Sequence, residues 1–221
     1  MATTLTSKNI LNSVVAPRLP AAPVEYAQRY GDDLTNVLRL YFNQLDSLNA
    51  TTYGPQGGRF LNNPYGSFYD TTDQTAANTT TAYAVTLNTT DLSNGVTVVS
   101  SSRITFGFAG IYNIQFSIQL TNDTASTQDI DIWFAKNGTN IANSNSRFGL
   151  APRKSAGDPY HIVGALNFVV QVAANDYVQL FWRTSDVAAR IEYYAASTTP
   201  TRPAIPSVIL TATFVSSLTA W

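Results

Sequence analysis

The chain has 221 residues, enough for one large β-domain or two small ones, and a domain of that size buries roughly 70% of its unfolded surface without covalent staples. It contains no cysteine, which excludes disulfides and thiolate metal sites. Only 12% of its residues are charged and the net charge is −1, so nothing in it offers an electrostatic footprint for nucleic acid.

Thr, Asn, Ser and Ala stand where charges would usually be. That pattern suits a chain with much of its surface hidden in an assembly, and equally a Thr-rich β-protein. No apolar run reaches the roughly 18 residues of a membrane span, so membrane insertion is not expected. The first residues, MATTLTSKNILNSVV, lack the charged-then-apolar order of a secretory signal, so synthesis without such export is expected. Asn-x-Thr triplets such as Asn88-Thr89-Thr90 and Asn137-Gly138-Thr139 then read as composition, not glycan acceptors.

Residues 1–23 carry Pro17, Pro20 and Pro23 in an apolar, nearly uncharged run. Such a segment is extended and does not fold alone. It reads either as a tail or as a docking arm, and Leu11, Val14 and Leu19 favour docking because tails are usually poor in such residues. Residues 24–49 are the one convincing helix. Leu34, Leu38, Tyr41, Leu45 and Leu48 are spaced four, three, four and three, a heptad seam of about two repeats. The helix is either a short coiled coil or a packing helix for its own β-domain. Gly31 is placed to break or start it, and Asp32 to cap it. Residues 50–66 are dense in Gly, Asn and Pro and read as a linker.

From residue 67 to 221 the pattern is β. Strands are expected at residues 67–71, 82–87, 96–100 and 103–108, separated by polar clusters. The central strand follows: Tyr112, Ile114, Phe116, Ile118 and Leu120 form one apolar face, and Asn113, Gln115, Ser117 and Gln119 the other. In residues 128–136, Ile130, Ile132 and Phe134 share a face opposite Asp129, Asp131 and Trp133. Asn137-Gly138 is a strong two-residue hairpin signal before a weak strand at 140–142. Residues 143–160 read as a long polar loop. Strands are then expected at 161–172, 177–184, 189–195 and 207–215, with a turn at 174–176 and a loop at 198–203. The spacing is that of an all-β sandwich, with Tyr112, Phe116, Phe168 and Val170 in its core.

Three stretches give this β-region a resemblance. Gly110-Ile111-Tyr112-Asn113-Ile114-Gln115-Phe116 resembles the Gly-x-Tyr-x-Phe central strand of the C1q/tumour-necrosis-factor-like jelly rolls. Residues 132–138 resemble that family's next strand and turn, and residues 167–182 its paired hydrophobic strands, with Asn175 where glycine is usual. The resemblance covers roughly residues 68–215 and implies a jelly-roll β-sandwich that assembles as a homotrimer. The arm and helix ahead of it, Leu19-Pro20-Ala21-Ala22-Pro23 and residues 39–46, resemble those of virion proteins of tailed bacteriophages, particularly phages of cyanobacteria. That likeness implies a structural component of a virion, made in the host cytoplasm and docked to other virion proteins through residues 1–49: a tail fibre or tail tip, or alternatively a capsid decoration.

Little in the sequence points to chemistry. His161 is the only histidine and no Gly-x-Ser-x-Gly elbow is present, so no catalytic residues are assigned and no enzyme is expected. No cofactor is expected. Asp123, Asp129 and Asp131, and separately Asp70 and Asp73, are acidic residues of the kind that bind calcium on loops and also of the kind that favour turns. Three Trp and twelve Tyr supply flat rings for a sugar platform or for a core. If a host-surface glycan is bound, the expected site is the 143–160 loop with Arg147, Arg153, Lys154 and Tyr160.

Overall fold

The computed structural model describes residues 17–21, 24–25, 27–53 and 63–217, which fall into two units divided near Asn62. Of the N-terminal unit it describes one helix, α1 (Gln28–Tyr53). The carbonyl of Ala27 accepts the first turn's N–H groups, from Tyr30 at 3.0 Å and Gly31 at 3.4 Å. Gly31 and Asp32 therefore lie inside the helix, not at its start, and Asp32 caps nothing. Gly31 closes the first turn of the helix, and the Leu-rich stretch from Leu34 onward carries the helix past it. The Thr35 hydroxyl donates to the Gly31 carbonyl at 2.7 Å. Leu34, Leu38, Tyr41, Leu45 and Leu48 are all half-buried, with Val37 beside them, while Leu40 and Phe42 stand exposed. The helix also runs four residues past its expected end. Leu11, Val14 and Pro23 lie outside the described residues; Leu19 lies inside them and is exposed.

The second unit is a β-sandwich. Its described strands are β1 (Tyr65–Asp70), β2 (Tyr83–Ala84), β3 (Thr89–Asn94), β4 (Val96–Val99), β5 (Arg103–Phe106), β6 (Gly110–Asn122), β7 (Gln128–Lys136), β8 (Thr139–Asn140), β9 (Ser146–Leu150), β10 (Tyr160–Val172), β11 (Tyr177–Thr184), β12 (Ala189–Ile191), β13 (Ser197–Thr198), β14 (Thr201–Arg202) and β15 (Val208–Ser216). One sheet has the order β10-β6-β15-β1-β3, with β12 continuing the β15 side of β6. The other has the order β4-β5-β11-β7, with β8 and β9 both on the far side of β7 and β2 on β11.

Alternation builds the interior. Along β6 the residues Tyr112, Ile114, Phe116, Ile118 and Leu120 are buried, as the period of two predicts. Ile130, Ile132 and Phe134 of β7, and Val178, Leu180 and Trp182 of β11, face them from the second sheet. Phe116 meets Phe134 edge-on at 5.9 Å between ring centroids, and Phe168 of β10 stacks on Phe134 at 5.0 Å. Val170 is buried and Phe168 packs against the same core. At the start of β6, a Cβ on Gly110 would come within 2.5 Å of the Phe214 ring and 2.9 Å of the Ser216 carbonyl, so β15 can lie this close only beside glycine.

Two turns lock one end of the second sheet. Asn137 and Gly138 both have positive φ, 50° and 81°, and join β7 to β8 in the two-residue hairpin expected. Asn175, at φ 68°, takes the left-handed position in the β10–β11 turn. The Asn137 amide donates to Asp176 at 2.7 Å and its oxygen accepts the Tyr177 N–H at 2.9 Å, tying the turns together. Four of the described strands fall where no strand was expected: β3, β9 and the two-residue pair β13 and β14. β3 pairs with β1 and β9 with β7, so residues 143–160 are not one loop. β3 is an edge strand with little apolar burial; β9 turns Phe148 and Leu150 inward, a pattern of only two apolar residues inside a polar stretch.

Candidate functional site

The two sheets turn different outer faces to their surroundings. On the first, β6 presents Ile111, Asn113, Gln115, Ser117 and Gln119, β10 presents Val163, Ala165, Asn167, Val169 and Gln171, and β15 presents Ile209, Thr211, Thr213 and Val215. None of these carries a charge. Val163, Val169, Ile209 and Val215 are between 41% and 58% exposed. A depression of about 180 Å³ lies between β6 and β15, lined by Gln115, Ser117, Ile209 and Thr211 over Phe116. The side-chain oxygen of Asn113 is shielded from solvent and has no hydrogen-bond partner among the described residues.

One corner of this face is polar. His161, at the start of β10, meets Thr121 of β6 and Tyr194, which follows β12. The Tyr194 hydroxyl donates to Glu192 at 2.9 Å and lies 2.6 Å from His161 Nδ1. A phenol has one hydrogen to give. With that hydrogen on Glu192, the Thr121 hydroxyl, 3.0 Å from Nδ1 and 3.2 Å from the phenol oxygen, completes the cluster. Arg190 holds the other Glu192 oxygen at 2.9 Å. Burial alone would raise the Glu192 carboxyl, but Thr121, Arg190 and Tyr194 together bring it below its ordinary value. Burial, reinforced by the Glu192 carboxylate, pushes the Tyr194 phenol up to about 12. A hydrolytic relay needs the nucleophile on one imidazole nitrogen and the carboxylate on the other. Here Thr121, Tyr194 and Glu192 all lie on the Nδ1 side, and Thr121 is fully buried. No sequence pattern marks this cluster, because strand register brings together β6, β10, β12 and the loop after β12, which lie apart in the chain.

The second sheet's outer face is charged and aromatic. Asp131 of β7 is only 4% exposed although it points outward, because two guanidinium groups cover it. Arg147 Nε donates to Oδ1 at 2.7 Å and its terminal nitrogen to Oδ2 at 3.2 Å; Arg183 Nε donates to Oδ2 at 2.8 Å. The hydrogen bond from Arg147 is the largest cause holding the Asp131 carboxyl below its ordinary value. Beside it, Trp133 and Phe181 stack at 6.1 Å and 19°. Across the sheet Arg103 lies over the Tyr177 ring at 4.8 Å.

The four residues expected in a ligand loop do not converge. Arg147 is on strand β9 against Asp131, Arg153 reaches the Asp123 carbonyl at 3.1 Å, Lys154 lies 3.6 Å from Asp158, and Tyr160 begins β10 packed against the core. The acidic residues are likewise dispersed. Asp129 and Asp131 face Arg147, Asp70 accepts from Thr72 and Thr86, and Asp73 accepts the Tyr193 N–H. Among the described residues no three His, Cys, Asp or Glu side chains come together as a metal site, and no helix is long and apolar enough to cross a membrane. In comparisons with known proteins, no family model and no curated protein matches the chain.

Proposed function

We propose that the chain is a non-enzymatic structural protein of a tailed-bacteriophage virion: a homotrimeric jelly-roll head docked through residues 1–49, placed at a tail fibre or tail tip. The observation that carries the assembly is the uncharged outer face of the first sheet. Interface cores are depleted of charge, because desolvating an unpaired charge is expensive, whereas Thr, Ser, Gln and Val can be covered at little cost. Fourteen outward residues on three adjacent long strands without one formal charge make a surface that loses little when a second copy covers it.

The strand order supports a jelly roll of the C1q/tumour-necrosis-factor type. The first and last long strands, β1 and β15, are neighbours in one sheet, and the connections after β5, β6, β9, β10 and β11 each pass from one sheet to the other. The half-buried row Leu34, Leu38, Tyr41, Leu45 and Leu48 supports association or docking through α1. The virion assignment rests on the likeness of arm, helix and head to phage proteins and on the low charge. Three linked heads would bind a repetitive surface with an avidity that one lacks.

Sedimentation equilibrium of the purified chain at micromolar concentration tests the assembly. A species three times the 24.0 kDa chain mass is expected, and a lone folded monomer refutes the reading. Incorporation into particles of a labelled chain, with and without residues 1–49, tests docking: the shortened chain should be absent, and imaging of the label distinguishes tail from capsid.

A further inference from the structure

We propose that the outer face of the second sheet carries a subsite for one neutral pyranose residue of a glycan, formed by Trp133, Asn140, Asn145 and Arg183. This site is separate from the uncharged face and does not depend on the assembly reading.

The observation is a pocket of about 290 Å³, open to solvent, lined by these four residues with Asp131 and Ile141. That volume sits at the small end of the roughly 300–1,000 Å³ range of small-molecule sites, suited to a single ring with its chain running out on either side. Trp133 provides the stacking surface. Phe181 lies beside the indole on the neighbouring strand, nearly parallel to it, and does not line the pocket, which leaves Trp133 as its aromatic wall. The indole N–H is already committed to the Asn140 oxygen at 2.9 Å. Trp133 is therefore fixed in orientation and presents carbon, which is what the apolar face of a pyranose packs against.

Around this ring stand unspent donors. Arg183 uses Nε on Asp131, and its two terminal nitrogens have no protein partner among the described residues. Asn140 gives only its oxygen to Trp133 and keeps its amide N–H groups. Asn145 makes no side-chain hydrogen bond among the described residues. An aromatic plate edged by amide and guanidinium donors matches a sugar, whose hydroxyls ring an apolar face.

The charge pattern selects a neutral sugar. Asp131 receives three guanidinium hydrogen bonds, and Arg147 also lies 3.9 Å from Asp129, so two acids and two bases balance. No net charge is left to recruit an acidic or basic ligand. The buried Asp131 acts as a positioning residue: it holds the Arg183 guanidinium at the pocket wall.

The test is saturation-transfer NMR on the full-length chain with the methyl glycosides of glucose, galactose, mannose, N-acetylglucosamine and glucuronic acid at millimolar concentration. At least one neutral glycoside should receive saturation. Trp133→Ala should weaken its binding tenfold or more, Asn145→Ala severalfold, and Tyr194→Phe, on the other sheet, not at all. Trp133→Phe keeps a flat ring and should retain weakened binding, and far-ultraviolet dichroism verifies that each variant is folded. The proposal is overturned if no neutral glycoside binds, if binding survives Trp133→Ala, or if only the glucuronide binds. A chain that binds the sugar but sediments as a monomer refutes the trimer and leaves this site standing; a trimer that binds none of the sugars does the reverse.

Discussion

The two sheets share one core and follow the same alternation, yet their outer faces are opposites. The first shows Val, Ile, Thr, Ser, Asn and Gln in rows, with no formal charge along β6, β10 or β15. The second holds Asp129, Asp131, Arg147, Arg183 and Arg103 among Trp133, Phe181 and Tyr177. Core packing cannot account for this difference, because inward residues satisfy it on both sheets. What remains is what each face must meet. A charged side chain has to be solvated or paired. The second face pairs its charges within the chain and keeps donors over for a polar ligand. Outside its polar corner, where Arg190 and Glu192 pair with each other, the first has no charge to desolvate and exposes aliphatic side chains instead.

The largest effect should come from making the first face resemble the second. Gln115→Lys combined with Ile209→Lys places two ammonium groups on neighbouring strands of each copy. Bringing like charges together across an interface costs several kcal/mol, so the proposed trimer should weaken on the order of a hundredfold or more. Sedimentation should find monomers with unchanged far-ultraviolet dichroism. Thr105→Lys, on the second sheet, should leave the association constant alone. A double variant that remains trimeric would remove the first face from the interface.

A middle-sized effect belongs to the second face. Asp131→Ala leaves Arg147 and Arg183 without their acceptor, but both guanidiniums are about half exposed and can return to water. A loss of about 2 kcal/mol in urea unfolding is expected, the usual scale for hydrogen bonds to a charged group. The pH dependence has a definite sign. The folded carboxyl lies below its ordinary value, so its contribution is complete above the unfolded carboxylate range near pH 4 and is lost as pH falls through the folded value. Wild-type protein should lose stability on acidification more steeply than Asp131→Asn. Parallel curves for the two would mean that the guanidinium pair contributes nothing.

How much of this was legible in advance follows from the same physics. β6, β7, β10 and β11 were readable because each buries one face, and burial writes a period of two into the residues. β3 was not, since an edge strand is held by backbone pairing on one side and its side chains need no pattern; β9 alternates, but Phe148 and Leu150 are too few to mark a strand within a polar stretch. α1 was expected at residues 24–49 but runs from Gln28 to Tyr53, four residues later at both ends, and Gly31 and Asp32, typical boundary residues, fall inside it. The outward row Asp129, Asp131 and Trp133 was visible as a face, but its partners Arg147 and Arg183 sit on other strands and become neighbours only through sheet register. The polar corner around His161 was hidden for the same reason.

That corner is the exception within the first face, and it yields the smallest effect. Tyr194→Phe removes the hydroxyl that donates to Glu192 and meets His161, while Thr121 stays 3.0 Å from the imidazole. The cost should be about 1 kcal/mol, because the hydroxyl's contacts with Glu192, His161 and Thr121 go together while those three groups keep one another and water as partners. The phenol, pushed up to about 12 by burial and then by Glu192, favours its protonated form in the folded chain. Its contribution is therefore complete below the unfolded tyrosine value near 10 and is lost as pH rises toward 12. In a spectrophotometric titration Tyr194 should ionise late, together with Tyr112, whose burial also raises it. Tyr194→Phe should abolish one of these late steps and flatten the alkaline loss of stability. If the late absorbance change is the same in both proteins, the phenol is not held as the geometry requires, and the corner is then as open to solvent as the second sheet's arginines.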